Sequence, residues 1–241
     1  MTPHFFVATV QVGADEALLD DQDTRHLVTV LRARPGSSVT VADNSGTIWT
    51  GTYAGMSGGA AAISLLQASV VLRPRPSLTV IHALPKQRKL DAVVSDLTEL
   101  GVDRIVPASS ERSQVELDDR RAAKAVARWR AVALAAAKQS RRAWVPEIAG
   151  VTTWARAFPP GVPGVVAWEE STTGLRAALD GIVDPPEFVL GIGPEGGLSP
   201  DEISLTGLPD VSLGPDILRT ETAALVAAAA VRFAFGLMEP R

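Results

Sequence analysis

The sequence contains no cysteine and only three histidines, His4, His26 and His82. Without cysteine there can be no disulfide framework, no thiolate-bound zinc or iron–sulfur cluster and no thiol nucleophile; the composition suits a reducing compartment. The histidines are scattered along the chain, so no metal site is expected. Long apolar runs are also missing: the longest is Ala223–Val231, far short of the roughly 18 residues that cross a bilayer. The opening Met1-Thr2-Pro3-His4-Phe5-Phe6 lacks the basic and then apolar regions of a secretory signal. A soluble, cytoplasmic protein with no membrane partner is expected.

What is present is ordinary globular material. Of 241 residues, 46% are hydrophobic and 21% charged, enough for one large or two smaller domains with a real core. The net charge of −4 hides an asymmetry. Residues 1–72 carry net −3, 73–100 net +2, 101–156 net +5 and 157–241 net −8. A basic middle is a lead towards a polyanion, because phosphates are met by clustered Lys and Arg rather than by average charge.

Residues 1–72 read as β-rich. Phe5 to Val10 is a strand candidate, and Ser38–Ala42 and Thr47–Tyr53 alternate with period two around the turn Asp43-Asn44-Ser45-Gly46. Ala60–Leu66 makes a further strand and Asp23–Arg34 a short helix before Pro35-Gly36. Short strands around turns suggest a small barrel. Arg73-Pro74-Arg75-Pro76 is the linker, and residues 77–241 form a second domain of alternating strands and helices. Strands are expected at 78–83, 102–106, 164–168, 187–192 and 211–213. Helices are expected at Lys86–Leu100 with Gly101 as its cap, Asp118–Arg142, Thr172–Asp180, from Ser199-Pro200-Asp201-Glu202 onward, and Thr220–Phe235 with Thr220 as N-cap. Such alternation predicts a mostly parallel sheet covered on both faces.

Two loops carry the chemistry. Leu190-Gly191-Ile192-Gly193-Pro194-Glu195-Gly196-Gly197-Leu198-Ser199 leaves a strand, lets backbone amides approach a ligand, and ends at a helix N-terminus. Gly191, Gly193 and Gly196 match G-x-G-x-x-G literally, so a nicotinamide-dependent oxidoreductase is one alternative. However, the loop comes late in the chain, Pro194 interrupts it, and too little β-structure follows. A tight turn with no ligand is the plain reading. The second loop, Leu213-Gly214-Pro215-Asp216-Ile217-Leu218-Arg219-Thr220-Glu221-Thr222-Ala223, crowds an Arg, a Glu and two Thr at a strand-to-helix turn. Paired Gly loops at the carboxyl ends of strands mark the usual ligand crevice of an α/β sheet.

These two motifs resemble those of the RsmE family, SPOUT-class methyltransferases that modify uridine N3 in 16S ribosomal RNA of the small subunit. Further matches are Thr98-Glu99-Leu100-Gly101-Val102, Ile105-Val106-Pro107, Glu111-Arg112-Ser113, Gln139-Ser140-Arg141-Arg142, and His26 with Val30-Leu31-Arg32 and Arg34-Pro35-Gly36. The resemblance implies an α/β protein with an N-terminal PUA-like β-barrel and a C-terminal SPOUT domain carrying a deep trefoil knot, a homodimer, and S-adenosylmethionine as cofactor. Carried over by motif, Leu190, Gly191, Gly193, Glu195, Gly196, Gly197, Leu213, Gly214, Ile217, Leu218, Thr220, Thr222 and Ala223 line the methyl donor. Arg219 is the candidate cation for the uracil anion, and Glu221 is either a base or the residue that orients Arg219. Arg25, His26, Arg32, Arg34, Arg112, Gln139, Arg141 and Arg142 are the RNA-contact candidates, joined by Arg120, Arg121, Lys124, Arg128 and Lys138 along the long helix. Trp129 and Trp144 are expected in the core or a dimer interface. Asp96 and Asp216 stand where the family often has Lys and Arg, which motivates a second alternative: an RNA-binding protein without activity.

Overall fold

The computed structural model describes residues 2–7, 15–86, 88–113 and 117–239. The chain divides into two compact units, residues 1–73 with 137–145, and residues 74–136 with 146–241.

The first unit contains β1 (His4–Phe6), β2 (Glu16–Leu18), α1 (Asp21–Arg25), a π-helical turn at His26–Val30, β3 (Ser38–Ala42), β4 (Thr47–Ser57) and β5 (Ala60–Val70). Its five-stranded sheet runs β1-β3-β4-β5-β2, with β1 parallel to β3 and the other pairs antiparallel. Alternation in β3 and β4 buries Val39, Val41 and Tyr53 with Phe5, Leu27 and Ile63. The turn between them forms as its sequence demands: Asn44 takes φ +65°, and the Asp43 carboxylate accepts from the Ser45 N–H at 2.9 Å. Strands β4 and β5 outrun their sequence signal because register shifts at Thr50/Gly51 and Tyr53/Gly55 break the alternation. Of the strand expected over Phe5–Val10, residues 8–10 lie outside the described residues. The expected helix at Asp23–Arg34 starts earlier, where Asp20 caps the Asp23 N–H at 2.7 Å. It stops at Val30, because Arg32 turns the chain at φ +52°.

Segment 137–145 completes this unit. Lys138 Nζ donates to both Asp23 oxygens at 2.7 and 2.8 Å. His4 Nε2 donates to the Arg142 carbonyl at 3.0 Å, and the Asn44 amide oxygen accepts from the Val145 N–H at 2.7 Å. Trp144 is buried beneath the Arg73 guanidinium, 5.3 Å from its ring centre.

The remaining elements are β6 (Ser77–Ala83), α2 (Lys89–Leu100), β7 (Arg104–Ser109), α3 (Asp119–Gln139), β8 (Glu147–Ile148), β9 (Thr152–Thr153), α4 (Trp154–Ala157), β10 (Gly164–Ala167), α5 (Leu175–Leu179), β11 (Glu187–Ile192), α6 (Pro200–Thr206), β12 (Asp210–Val211) and α7 (Thr220–Ala234). They build a wholly parallel sheet, β12-β10-β11-β6-β7-β8, with β9 added to β7. Helix α2 buries Leu90, Val93, Val94 and Leu97 and ends at Gly101 in the left-handed region, φ +100°. Gln87, in the expected first turn of that helix, lies outside the described residues. The Arg232 guanidinium donates to the Gly101 carbonyl at 3.0 Å, placing a cation at the negative end of α2. Ala227 and Ala228 of α7 are buried where that helix packs on α2, and Ala133 and Ala137 of α3 are buried as well. Helix α5 is shorter than expected, and α3 stops at Gln139 because Arg141 takes φ +54°. The short elements β8, β9 and α4 gave no periodic signal.

Candidate active site at the glycine loops

Strand β10 lies between β11 and β12, with Ala167 in register with Ile192 on one side and Val211 on the other. The segments leaving these three strands therefore emerge side by side. They enclose a cavity of about 340 Å³, within the range of small-ligand sites. Of the residues expected to hold a donor, Gly193, Glu195, Gly197, Leu213, Gly214, Ile217, Leu218, Thr220 and Ala223 line it, together with Arg219. Leu190 and Gly191 lie beneath it in β11, where a Cβ on Gly191 would meet Phe158 and Val166. Gly196 faces Arg112 instead, and Thr222 lies on the exposed side of α7.

Sequence reasoning missed Ala167, Trp168, Glu169 and Ser212, which also line the cavity. Their signal was positional: each ends or follows a parallel strand at its carboxyl end, the same rule that located the Gly loops. Trp168 is fixed by its indole N–H on the Leu198 carbonyl at 3.2 Å and its backbone N–H on the Val211 carbonyl at 3.0 Å.

The first Gly loop is held from three sides. Ser199 and Glu202 form the expected capping box at α6. The Glu202 carboxylate also accepts from the Glu111 N–H at 2.7 Å, and Arg112 donates to the Gly196 carbonyl at 3.2 Å. Glu195 accepts from the Lys86 backbone N–H at 3.1 and 3.2 Å and pairs with Lys89 Nζ at 3.0 Å. Burial pushes the Glu195 carboxyl up, but its own backbone N–H, Lys89 and the Lys86 N–H outweigh this and hold it below the usual carboxylate range. Lys89 reaches Glu221 as well, at 3.4 Å, and its pairing with Glu195 raises its own pKa.

The two loops are also tied directly. Thr220 was expected as the N-cap of α7. That position belongs to Arg219, which makes no side-chain capping bond. The Thr220 hydroxyl instead crosses to the Gly193 carbonyl at 2.6 Å, with His82 Nε2 3.4 Å away. His82 is fully buried and its Nδ1 donates to the Ala83 carbonyl at 2.6 Å. Burial holds its pKa below the ordinary 6.5. Glu221 stands on Lys89 rather than on Arg219. The exposed Arg219 side chain lines the cavity and makes no hydrogen bond or ion pair among the described residues.

The basic candidates separate into two groups. Arg25, His26, Arg32 and Arg34 are exposed on successive turns of the first unit, and Gln139 and Arg141 are exposed as well. Arg142 is half-buried. Lys138 is committed to Asp23 and Arg128 to Asp91 at 3.0 Å. Trp129 is buried, with its N–H on Asp91. Among the described residues there is no group of side chains that could hold a metal ion and no helix long and apolar enough to cross a membrane.

Comparison with known proteins places this geometry. A family model described as an RNA methyltransferase domain matches residues 73–232, and one described as an RNA methyltransferase PUA domain matches residues 19–66. The chain is 33% identical over 235 residues to ribosomal RNA small subunit methyltransferase E of Mycobacterium bovis, covering 94% of this chain and 90% of the relative. The Bacillus subtilis protein of the same name is 29% identical, with 95% of each chain covered. The crystal structure of the Neisseria gonorrhoeae ribosomal RNA small subunit methyltransferase E bound to S-adenosyl methionine superposes with a TM-score of 0.86. It shares 29% identity over 97% of this chain and 98% of that one. The nicotinamide alternative is overturned: the methyltransferase model spans the glycine fingerprint, and Gly191 is a covered strand residue rather than part of a phosphate-binding turn. This chain, a PUA-like unit joined to an α/β methyltransferase unit, belongs to the ribosomal RNA small subunit methyltransferase E family.

Proposed function

We propose that this protein transfers a methyl group from S-adenosylmethionine to N3 of a uridine in 16S ribosomal RNA, in the cytoplasm and within the small subunit. The observation that carries the reading is the cavity where the two Gly loops converge, with Arg219 at its wall and unpaired among the described residues. The residues fit the donor. Gly193, Gly197 and Gly214 line the cavity, and their lack of a side chain lets a ligand approach the backbone closely. S-adenosylmethionine, when bound, supplies a methyl group carried on a sulfonium.

The chain's own work is positioning and charge. Uridine N3 is a poor nucleophile until its weakly acidic proton passes to solvent water, and a cation beside the ring favours the anion. Arg219 is that cation. Glu221 is the anchor of Lys89, 3.4 Å from its ammonium. Phosphates are met by Arg25, His26, Arg32 and Arg34 on the first unit. Thr222, Leu225, Val226 and Phe233 form an exposed stripe on α7, with Phe233 72% exposed. A second copy covering that stripe makes the homodimer. The trefoil knot belongs to the same reading: from the edge strand β12 the chain returns as α7 to lie on α2, β6 and β11.

Calorimetry and turnover test this together. The native protein binds S-adenosylhomocysteine and not NAD. Arg219→Ala keeps that binding but loses roughly a hundredfold or more in turnover at saturating donor. Near-native turnover removes Arg219 from the chemistry, and donor binding without any RNA methylation by the native protein points to the inactive RNA-binding alternative.

A further inference from the structure

Glu169 is a carboxylate with a place but no partner among the described residues. It lies two residues beyond the end of β10, between the loops that follow β11 and β12, and lines the cavity. Its backbone neighbourhood is fixed from both sides through Trp168, as described above. Its carboxylate reaches the Gly loop so closely that a Cβ on Gly197 would collide with Glu169 Oε1. Yet no hydrogen bond or ion pair satisfies that carboxylate among the described residues, whereas Glu195 on the same wall is fully engaged by Lys86 and Lys89.

A carboxylate at the carboxyl end of the strand beside a Gly-loop strand suits one kind of ligand group. It accepts two hydrogen bonds at once, matching the cis hydroxyls of a ribose. In dinucleotide-binding sheets an acidic residue at a strand end does this for the nucleoside whose phosphates sit on the glycine turn. Here the acid precedes the Gly loop in sequence, so a search for it downstream of the glycines finds nothing.

We infer that Glu169 is a specificity-determining residue that accepts both hydroxyls of the ribose of the bound adenosyl group. The inference rests on the donor reading above. It assigns to Gly197 a second duty, leaving room for that carboxylate over the loop.

Calorimetry on the full-length protein tests it with three probes: S-adenosylhomocysteine, its 2′-deoxyribose counterpart and S-adenosylmethionine. Native protein is expected to bind the ribose form about ten- to a hundredfold more tightly than the deoxy form, the range of hydrogen bonds to a charged acceptor. Glu169→Ala is expected to lose a similar factor towards S-adenosylhomocysteine and to bind the two forms alike, while unfolding at the native temperature, since Glu169 is exposed. Native-like affinity in Glu169→Ala, or persistent discrimination against the deoxy form, overturns the inference. So does a loss confined to the cationic S-adenosylmethionine, which makes Glu169 a charge sensor instead. If native protein binds none of the three probes, the donor reading itself fails, an outcome distinct from the others.

Discussion

Lys89 holds both glycine loops at once. Its ammonium stands 3.0 Å from Glu195 on the first loop and 3.4 Å from Glu221 at the start of α7. Without it the two carboxylates repel across the site. Lys89→Met is therefore expected to weaken S-adenosylhomocysteine binding about tenfold, and Lys89→Met with Glu221→Gln to recover much of that loss, the non-additivity of residues sharing one network. Calorimetry on the single and double variants checks it; additive losses would show Lys89 acting on its own. Gly197 is the second telling residue. It combines φ +71° with the Glu169 carboxylate in the space of its missing Cβ. Gly197→Ala is expected to cost about 1–2 kcal/mol of stability from the backbone alone, read by denaturant unfolding. The glycines, Arg219 and the capping box were legible because each has a local signature. Lys89, His82 and Glu169 were not, because their partners arrive from strands far away in sequence, and pairing of that range leaves no mark on composition or period.

At the scale of elements, α3 does two kinds of work. Its basic residues read from sequence as one solvated or RNA-binding face. In the structure, Lys138 closes on Asp23, whose side chain is 3% exposed, and Arg128 on Asp91. Burial raises the Asp23 carboxyl while the Lys138 bond pulls it down, so removing the lysine strands a buried carboxyl. Lys138→Met is expected to destabilise by about 3 kcal/mol or more while leaving the salt dependence of RNA binding unchanged. Charge reversal at Arg32 and Arg34 is expected to do the opposite, reducing the slope of log affinity against log salt by about 2 with native stability. Titrating RNA at several salt concentrations separates the two; a reduced slope in Lys138→Met would return α3 to the RNA surface. Long periodic elements such as α2 and α7 were readable because their apolar stripes repeat. The two-residue strands β8 and β9 gain their backbone bonds only from neighbours in the sheet, so no local pattern announces them.

For the whole molecule, stability depends on two buried neutral histidines. Burial holds the pKa of both His4 and His82 below the ordinary 6.5. As pH falls below about 6.5, the unfolded chain takes up protons that the folded chain refuses, so stability is full above that value and declines beneath it. The midpoint of thermal unfolding is expected to drop between pH 7.5 and 5.5, with a shallower drop in His4→Gln; a flat profile would show the rings titrating alike in the folded and unfolded chain. What joins both units is the proposed chemistry: phosphates on the first, a methyl donor between the glycine loops of the second. The direct measurement incubates the pure protein with isotopically labelled S-adenosylmethionine and small subunits that lack the modification, then maps the labelled nucleotide in 16S ribosomal RNA. A single labelled uridine, methylated at N3 and lost in Arg219→Ala, is the expected result. Label on another base, on a ribose or on no nucleotide would contradict the account.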